Sequence, residues 1–220
     1  MFKKPRCILA AMLLSGVAVN ANAATIAYDY TAVSLNAPSV FAGSVGLDFR
    51  VNTPISIFAL GVFDNGSFAN LAGLNNGGVN VALYNLTTMM QVGPVVSFTP
   101  TSAGTQTGAE AFKSVSPFVL SAGSYTVVAS GADIYNSNGS ANPSSTTNSG
   151  GGLISFIGAG RFNGANGLTF PGSVDAGPAN RYDAGSFQYS PVVSPVPEPE
   201  SLALFSFGLL FLTQVRRRAK

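Results

Sequence analysis

The sequence has no histidine, no tryptophan and a single cysteine, Cys7. Beyond residue 7, therefore, neither a Ser-His-Asp nor a Cys-His arrangement can be assembled, and zinc sites built on His or Cys are excluded. Disulfides are excluded as well, so stability has to come from core packing. Charge is scarce too: Asp, Glu, Lys and Arg make up 9% of the chain. Seven of the eleven cations lie in the two tails, as Lys3, Lys4, Arg6, Arg216, Arg217, Arg218 and Lys220. Between them, Arg50, Lys113, Arg161 and Arg181 stand against seven acids, so this body has a net charge of −3. A basic footprint for nucleic acid is missing, because the positive charge forms no patch.

What is present begins with MFKKPR, then CILAAMLLSGVAV, then NANA. A basic start, a short apolar run and a small-x-small ending are the three parts of a secretory signal peptide, here residues 1–23. The expected signal peptidase cut follows Ala23, with the bond after Ala24 as the alternative. Cys7 precedes most of the apolar run, whereas a lipidated cysteine would follow it.

At the other end, residues 201–215 have only Ser201, Ser206, Thr213 and Gln214 as polar residues, are almost continuously apolar over 202–212, and precede Arg216, Arg217 and Arg218. As a helix this stretch reaches roughly 22 Å against a hydrocarbon core of about 30 Å, a marginal transmembrane span. The arginines extend it by reaching the headgroups and act as a cytoplasmic stop in the basic tail 216–220. Residues 191–200 form a linker whose prolines keep it extended and open to a protease. The order Pro197, Glu198, Pro199, apolar segment and arginine cluster resembles the PEP-CTERM sorting signal of Gram-negative bacteria. The resemblance covers about the last 25 residues and implies recognition by an exosortase, a membrane-embedded cysteine transpeptidase or protease. It also implies transient membrane anchoring, a final place at the cell surface or outside the cell, and an association with exopolysaccharide or biofilm. A permanently retained tail anchor is the rival reading.

The body, residues 24–190, alternates apolar and polar residues. Val45, Leu47, Phe49 and Val51 share one face, while Asp48 and Arg50 take the other, which is the period of a half-buried strand. Further strands are expected at TIAYDYTAV, ISIFALGVF, VNVALYN, VVSF, FVL, SYTVVAS, LISFI and SFQY. Turn signals separate them, such as Asp64-Asn65-Gly66 and Asn75-Asn76-Gly77-Gly78. No helical periodicity is sustained between the tails. The expected fold is all-β: a single antiparallel β-sandwich of eight to ten short strands, jelly-roll-like. The polar run 135–152 is expected to be a long exposed loop ending in a flexible glycine linker. Ala59-Leu60-Gly61 with Asp64, and Leu120, Ala122, Gly123 and Tyr125, also resemble exported bacterial domains that precede this sorting signal and have no assigned activity.

Acid–base chemistry would fall to carboxylates alone. A glycosidase needs two of them within about 5 to 9 Å, and seven scattered acids suit a soluble surface instead. No cofactor is expected. Calcium would have Asp64 with Asn65, Asp133, or Asp175 with Asp183 as oxygen ligands. Tyr28, Tyr30, Tyr182 and Tyr189 alternate with polar neighbours, which suits either sugar stacking or a core. Asn65, Asn85 and Asn138 each begin an Asn-x-Ser or Asn-x-Thr triplet, a surface-loop mark where a host glycosylates. The sequence thus points to a non-enzymatic exported protein with a structural or adhesive role. A lectin-like module for exopolysaccharide is the alternative, and a carboxylate-based glycosidase stands further off.

Overall fold

Alternating apolar residues can bury one face of a strand only if another layer covers it. In the computed structural model two sheets do this for each other. The structure describes residues 24–30, 39–64, 78–136, 145–165, 167–177, 179–180, 182 and 184–192. These form thirteen strands and no helix: β1 (Thr25–Ile26), β2 (Tyr28–Tyr30), β3 (Ser39–Val51), β4 (Ile55–Phe63), β5 (Val79–Asn85), β6 (Gln91–Phe98), β7 (Thr105–Thr107), β8 (Glu110–Leu120), β9 (Gly123–Asn136), β10 (Ser145–Thr147), β11 (Ile154–Asn163), β12 (Ser173–Val174) and β13 (Gly185–Pro191). Every pairing is antiparallel. One sheet runs β1-β13-β4-β8-β7, the other β12-β11-β3-β9-β5-β6, and β10 pairs with β2 as a separate ribbon.

The core lies where the two sheets meet. Leu47 and Phe49 of β3 and Val127 of β9 share one buried cluster with Ile57 and Leu60 of β4 and Phe187 of β13. The Phe49 ring lies 4.7 Å from that of Phe187 and 5.9 Å from that of Tyr125. Each such ring contributes roughly 1.5 to 3 kcal/mol by leaving water, and each aromatic pair about 0.5 to 1.5 kcal/mol more.

Several expectations need correction. β3, β8 and β9 are long rather than short, at 13, 11 and 14 residues. The polar run is not wholly an exposed loop, because its Ser145–Thr147 segment pairs with β2. Beyond it, Gly150 N–H donates to Asn148 Oδ1, and the Tyr189 hydroxyl donates to Asn148 O at 2.7 Å. Hydroxyl and amide side chains satisfy the backbone there, which composition alone does not reveal. Tyr28, Tyr182 and Tyr189 are core residues, so those three rings are closed to sugar stacking. The acids are not all on the surface either, since Asp48, Asp64 and Glu110 are buried.

Asp48 is buried because the outer face of the six-stranded sheet has its own cover. Ala82, Tyr84 and Val128 form a second apolar cluster there, and Leu168 and Phe170 of the segment between β11 and β12 pack onto it. Ser44 pins this strap, donating to Gly167 O at 3.2 Å and accepting from Thr169 N at 3.4 Å. The signal peptide 1–23 and residues 193–220, which include the expected membrane helix 201–215, lie outside the described residues. Among the described residues no helix is long and apolar enough to cross a membrane.

Gly43 marks a tight point of the frame. Its φ of +129° accompanies a bulge in the β3–β9 pairing between Phe41 and Gly43. A Cβ there would stand 2.1 Å from the Asn163 carbonyl oxygen, a backbone atom that cannot swing away. Gly43→Ala is therefore expected to cost about 3 kcal/mol or more. Gly172→Ala, with nothing within 4 Å of the added carbon, should stay within about 0.5 kcal/mol of the parent. Urea denaturation of both variants checks the contrast.

Candidate functional site

Two features of the body carry more chemistry than a plain sheet surface. The first is a trough around β8. β6 is the last strand of its sheet, and β7 pairs only with Glu110–Phe112 of β8. The rest of β8 therefore has an open edge facing the open edge of β6. Between them lies a groove of about 580 Å³, lined by Pro94, Val95 and Ser97 on one side and by Ser114, Ser116 and Phe118 on the other. Phe118 closes tightly onto β6, because its ring occupies the space a Cβ on Gly93 would need. A second hollow of about 480 Å³ opens on the outer face of the other sheet, with Thr105, Thr107 and Gln188 on its rim. Lys113 and Ser114 line both, so the two hollows adjoin along β8.

Lys113 stands where the two hollows meet. Its Nζ donates to the Ser97 carbonyl and, at 2.8 Å, to the Ser102 hydroxyl, and stands 5.0 Å from the Phe98 ring centre. Partial burial lowers its pKa from the usual lysine value. Pro94 and Pro117 interrupt the two open edges, and proline offers no N–H to an incoming strand. Hydroxyls, one amide and a few apolar surfaces are left to meet a ligand, and no lining residue is a carboxylate. This trough was not read from the sequence. Its available signals were the two prolines inside otherwise strand-like stretches and a lysine in a body with three other cations.

The second feature is an ion pair under the strap. Arg161 of β11 donates through Nε to Asp48 Oδ1 and Oδ2 at 2.8 and 2.7 Å, and its guanidinium lies 5.6 Å from the Phe170 ring centre. Tyr28 Oη donates to the Asp48 carbonyl, tying the pair to the core. Burial raises the Asp48 pKa above its ordinary 3.8, and the Arg161 hydrogen bond and charge oppose that rise.

The sites expected from the sequence fall as follows. Ala24 is the exposed residue before β1, while Ala23 lies outside the described residues. Pro197, Glu198, Pro199, Arg216, Arg217 and Arg218 also lie outside them. Of the calcium candidates, Asp64 is buried at the end of β4 and Asp175 is half-buried with its N–H on Gly160 O. Asp133 lies on β9, and Asn65 and Asp183 are outside the described residues. Among the described residues no three carboxylates, histidines or cysteines are grouped so as to hold a metal ion. Asn85 serves the β5–β6 turn, its Oδ1 accepting from Thr87 N and Thr88 N.

Comparison with known families finds the PEP-CTERM protein-sorting motif at residues 195–218. That motif supports export and sorting by an exosortase, and it is consistent with transient membrane anchoring. No curated protein and no solved structure matches the chain.

The ion pair yields a pH-dependent expectation. Because the Asp48 pKa is raised in the folded state, the stability this group contributes is complete below its unfolded pKa and falls as pH rises through the raised value. Arg161→Leu leaves a buried carboxylate without its cation and is expected to cost about 3 kcal/mol at neutral pH. In acid below the ordinary value of 3.8, Asp48 is protonated and most of that cost disappears. Denaturant titrations at the two pH values measure it; an equal loss at both would assign Arg161 a packing role on Phe170 instead.

Proposed function

We propose that this chain is an exported surface or extracellular-matrix protein, sorted by an exosortase, whose body has a structural or adhesive role in exopolysaccharide or biofilm. The observation that carries the proposal is the sorting motif at 195–218, placed directly after the last strand of an all-β body. The signal peptide brings the body out, and the apolar segment holds it at the membrane. The proline-rich stretch around Pro197-Glu198-Pro199 is where the exosortase acts. The short span and the arginine cluster suit a temporary hold, discarded after sorting.

The body is read as a jelly-roll sandwich. The orders β1-β13-β4-β8 and β3-β9-β5-β6 support this, since they are the two interleaved four-stranded sheets of that topology. β11 and β12 then extend the β3 edge, and β7 is added beside β8. A non-catalytic role fits the absence of cysteine and histidine after residue 7 and a trough lined without a carboxylate.

A second reading is a lectin-like module whose glycan lies in that trough. The observation favouring it is the mixture of Ser, Thr and Gln side chains with Phe118 and proline surfaces along an open groove. Retention of the purified body on matrix polysaccharide supports this reading; no retention with or without calcium removes it.

The sorting reading is tested by the intact mass and terminal sequences of the mature protein from cells and medium. The expected product begins at Ala24 and ends at or near the Pro197-Glu198-Pro199 element. A product that still ends at Lys220 contradicts the cut and leaves a permanent anchor.

A further inference from the structure

From Ala24 onward the chain contains two methionines, Met89 and Met90, and no cysteine, histidine or tryptophan. Sulfur is thus confined to one place, the turn joining β5 and β6. There the two side chains are 61% and 68% exposed, more than any other large apolar side chain described. They gain nothing from burial, and the turn does not need them. Met89 N donates to Asn85 O at 2.8 Å, Asn85 N donates to Met90 O at 3.0 Å, and Asn85 Oδ1 takes the N–H groups of Thr87 and Thr88.

The backbone does not favour methionine either. Met89 has a φ of 58°, in the left-handed region where glycine or asparagine sits with less strain. A large apolar side chain at a strained, largely exposed position points to a role outside the fold.

We propose that the Met89–Met90 turn is a methionine sulfoxidation site. It is the point at which the exported chain reacts with hydroperoxides, and its modification leaves the body folded. Each thioether sulfur attacks one oxygen of the peroxide. An S–O bond forms and the O–O bond breaks; the sulfur gives up two electrons, and the proton of the attacked oxygen passes to the departing oxygen, which leaves as water from hydrogen peroxide or as an alcohol from an organic hydroperoxide. The product is a polar sulfoxide, so an apolar turn becomes a polar one and any apolar contact it makes is weakened. Exposure on a turn also leaves the sulfoxides open to a reductase of the methionine sulfoxide class.

Hydrogen peroxide applied to the purified mature protein tests this, with the synthetic peptide of residues 85–91 as reference. The protein is expected to take up two oxygen atoms, both mapping to the Met89–Met90 fragment, at a rate within about tenfold of the peptide. Its unfolding midpoint should not change. The double variant Met89→Leu, Met90→Leu should fold with the parent midpoint and take up no oxygen at the same dose. Uptake slower than the peptide by more than that factor, oxygen on other residues, or a fall in the midpoint on oxidation would overturn the proposal.

Discussion

The packing of Phe49 against Phe187 is the contact on which the rest of the body depends, because it joins the two sheets at their centre. Disulfides and His or Cys metal sites cannot replace it in a chain without those residues after position 7. Phe49 also stacks on Tyr125, and the Phe187 ring lies tilted 5.6 Å from that of Tyr189, so four rings from three strands form a chain through the core. Tyr189 carries this order outward through its hydroxyl to Asn148 and so fixes the turn that precedes β11. Its burial pushes the phenol pKa up, which keeps the hydroxyl protonated as a donor at every ordinary pH.

Outside that core the chain deals with two costs of building wide sheets. An apolar outer face is covered by the strap carrying Leu168 and Phe170, and the same cover encloses the Asp48–Arg161 pair. Open edges are blunted by Pro94 and Pro117 rather than paired, which discourages edge-to-edge association. The trough between these edges follows from the topology: β7 is too short to cover all of β8, and β6 ends its own sheet. The open groove therefore sits at a sheet edge, while Asp48 is enclosed with its cation Arg161.

Some of this was legible from residue order. β4 and β5 have the limits their alternation and turns suggest, Ile55–Phe63 and Val79–Asn85. Their signals are local, a period of two bounded by Gly, Asn and Asp. Asp48 was misread as a surface acid because alternation assigns a side chain to a face without saying whether that face is covered. The cover arrives from residues more than a hundred positions away. Tyr28 and Tyr189 were ambiguous for the same reason, and β10 was hidden because a polar composition can still form a short paired strand. The sorting motif was legible because its elements lie in fixed linear order, and its match at 195–218 does not depend on the fold of the body.

Body and address thus obey different rules, one three-dimensional and one linear. The central claim is that core packing alone holds the body, without the tail, a disulfide or a bound metal. The direct measurement is thermal unfolding of residues 24–192 produced alone, with and without reductant and chelator. The account predicts one cooperative transition at the same midpoint in all conditions. Loss of cooperativity, or a midpoint lowered by the chelator, would contradict it.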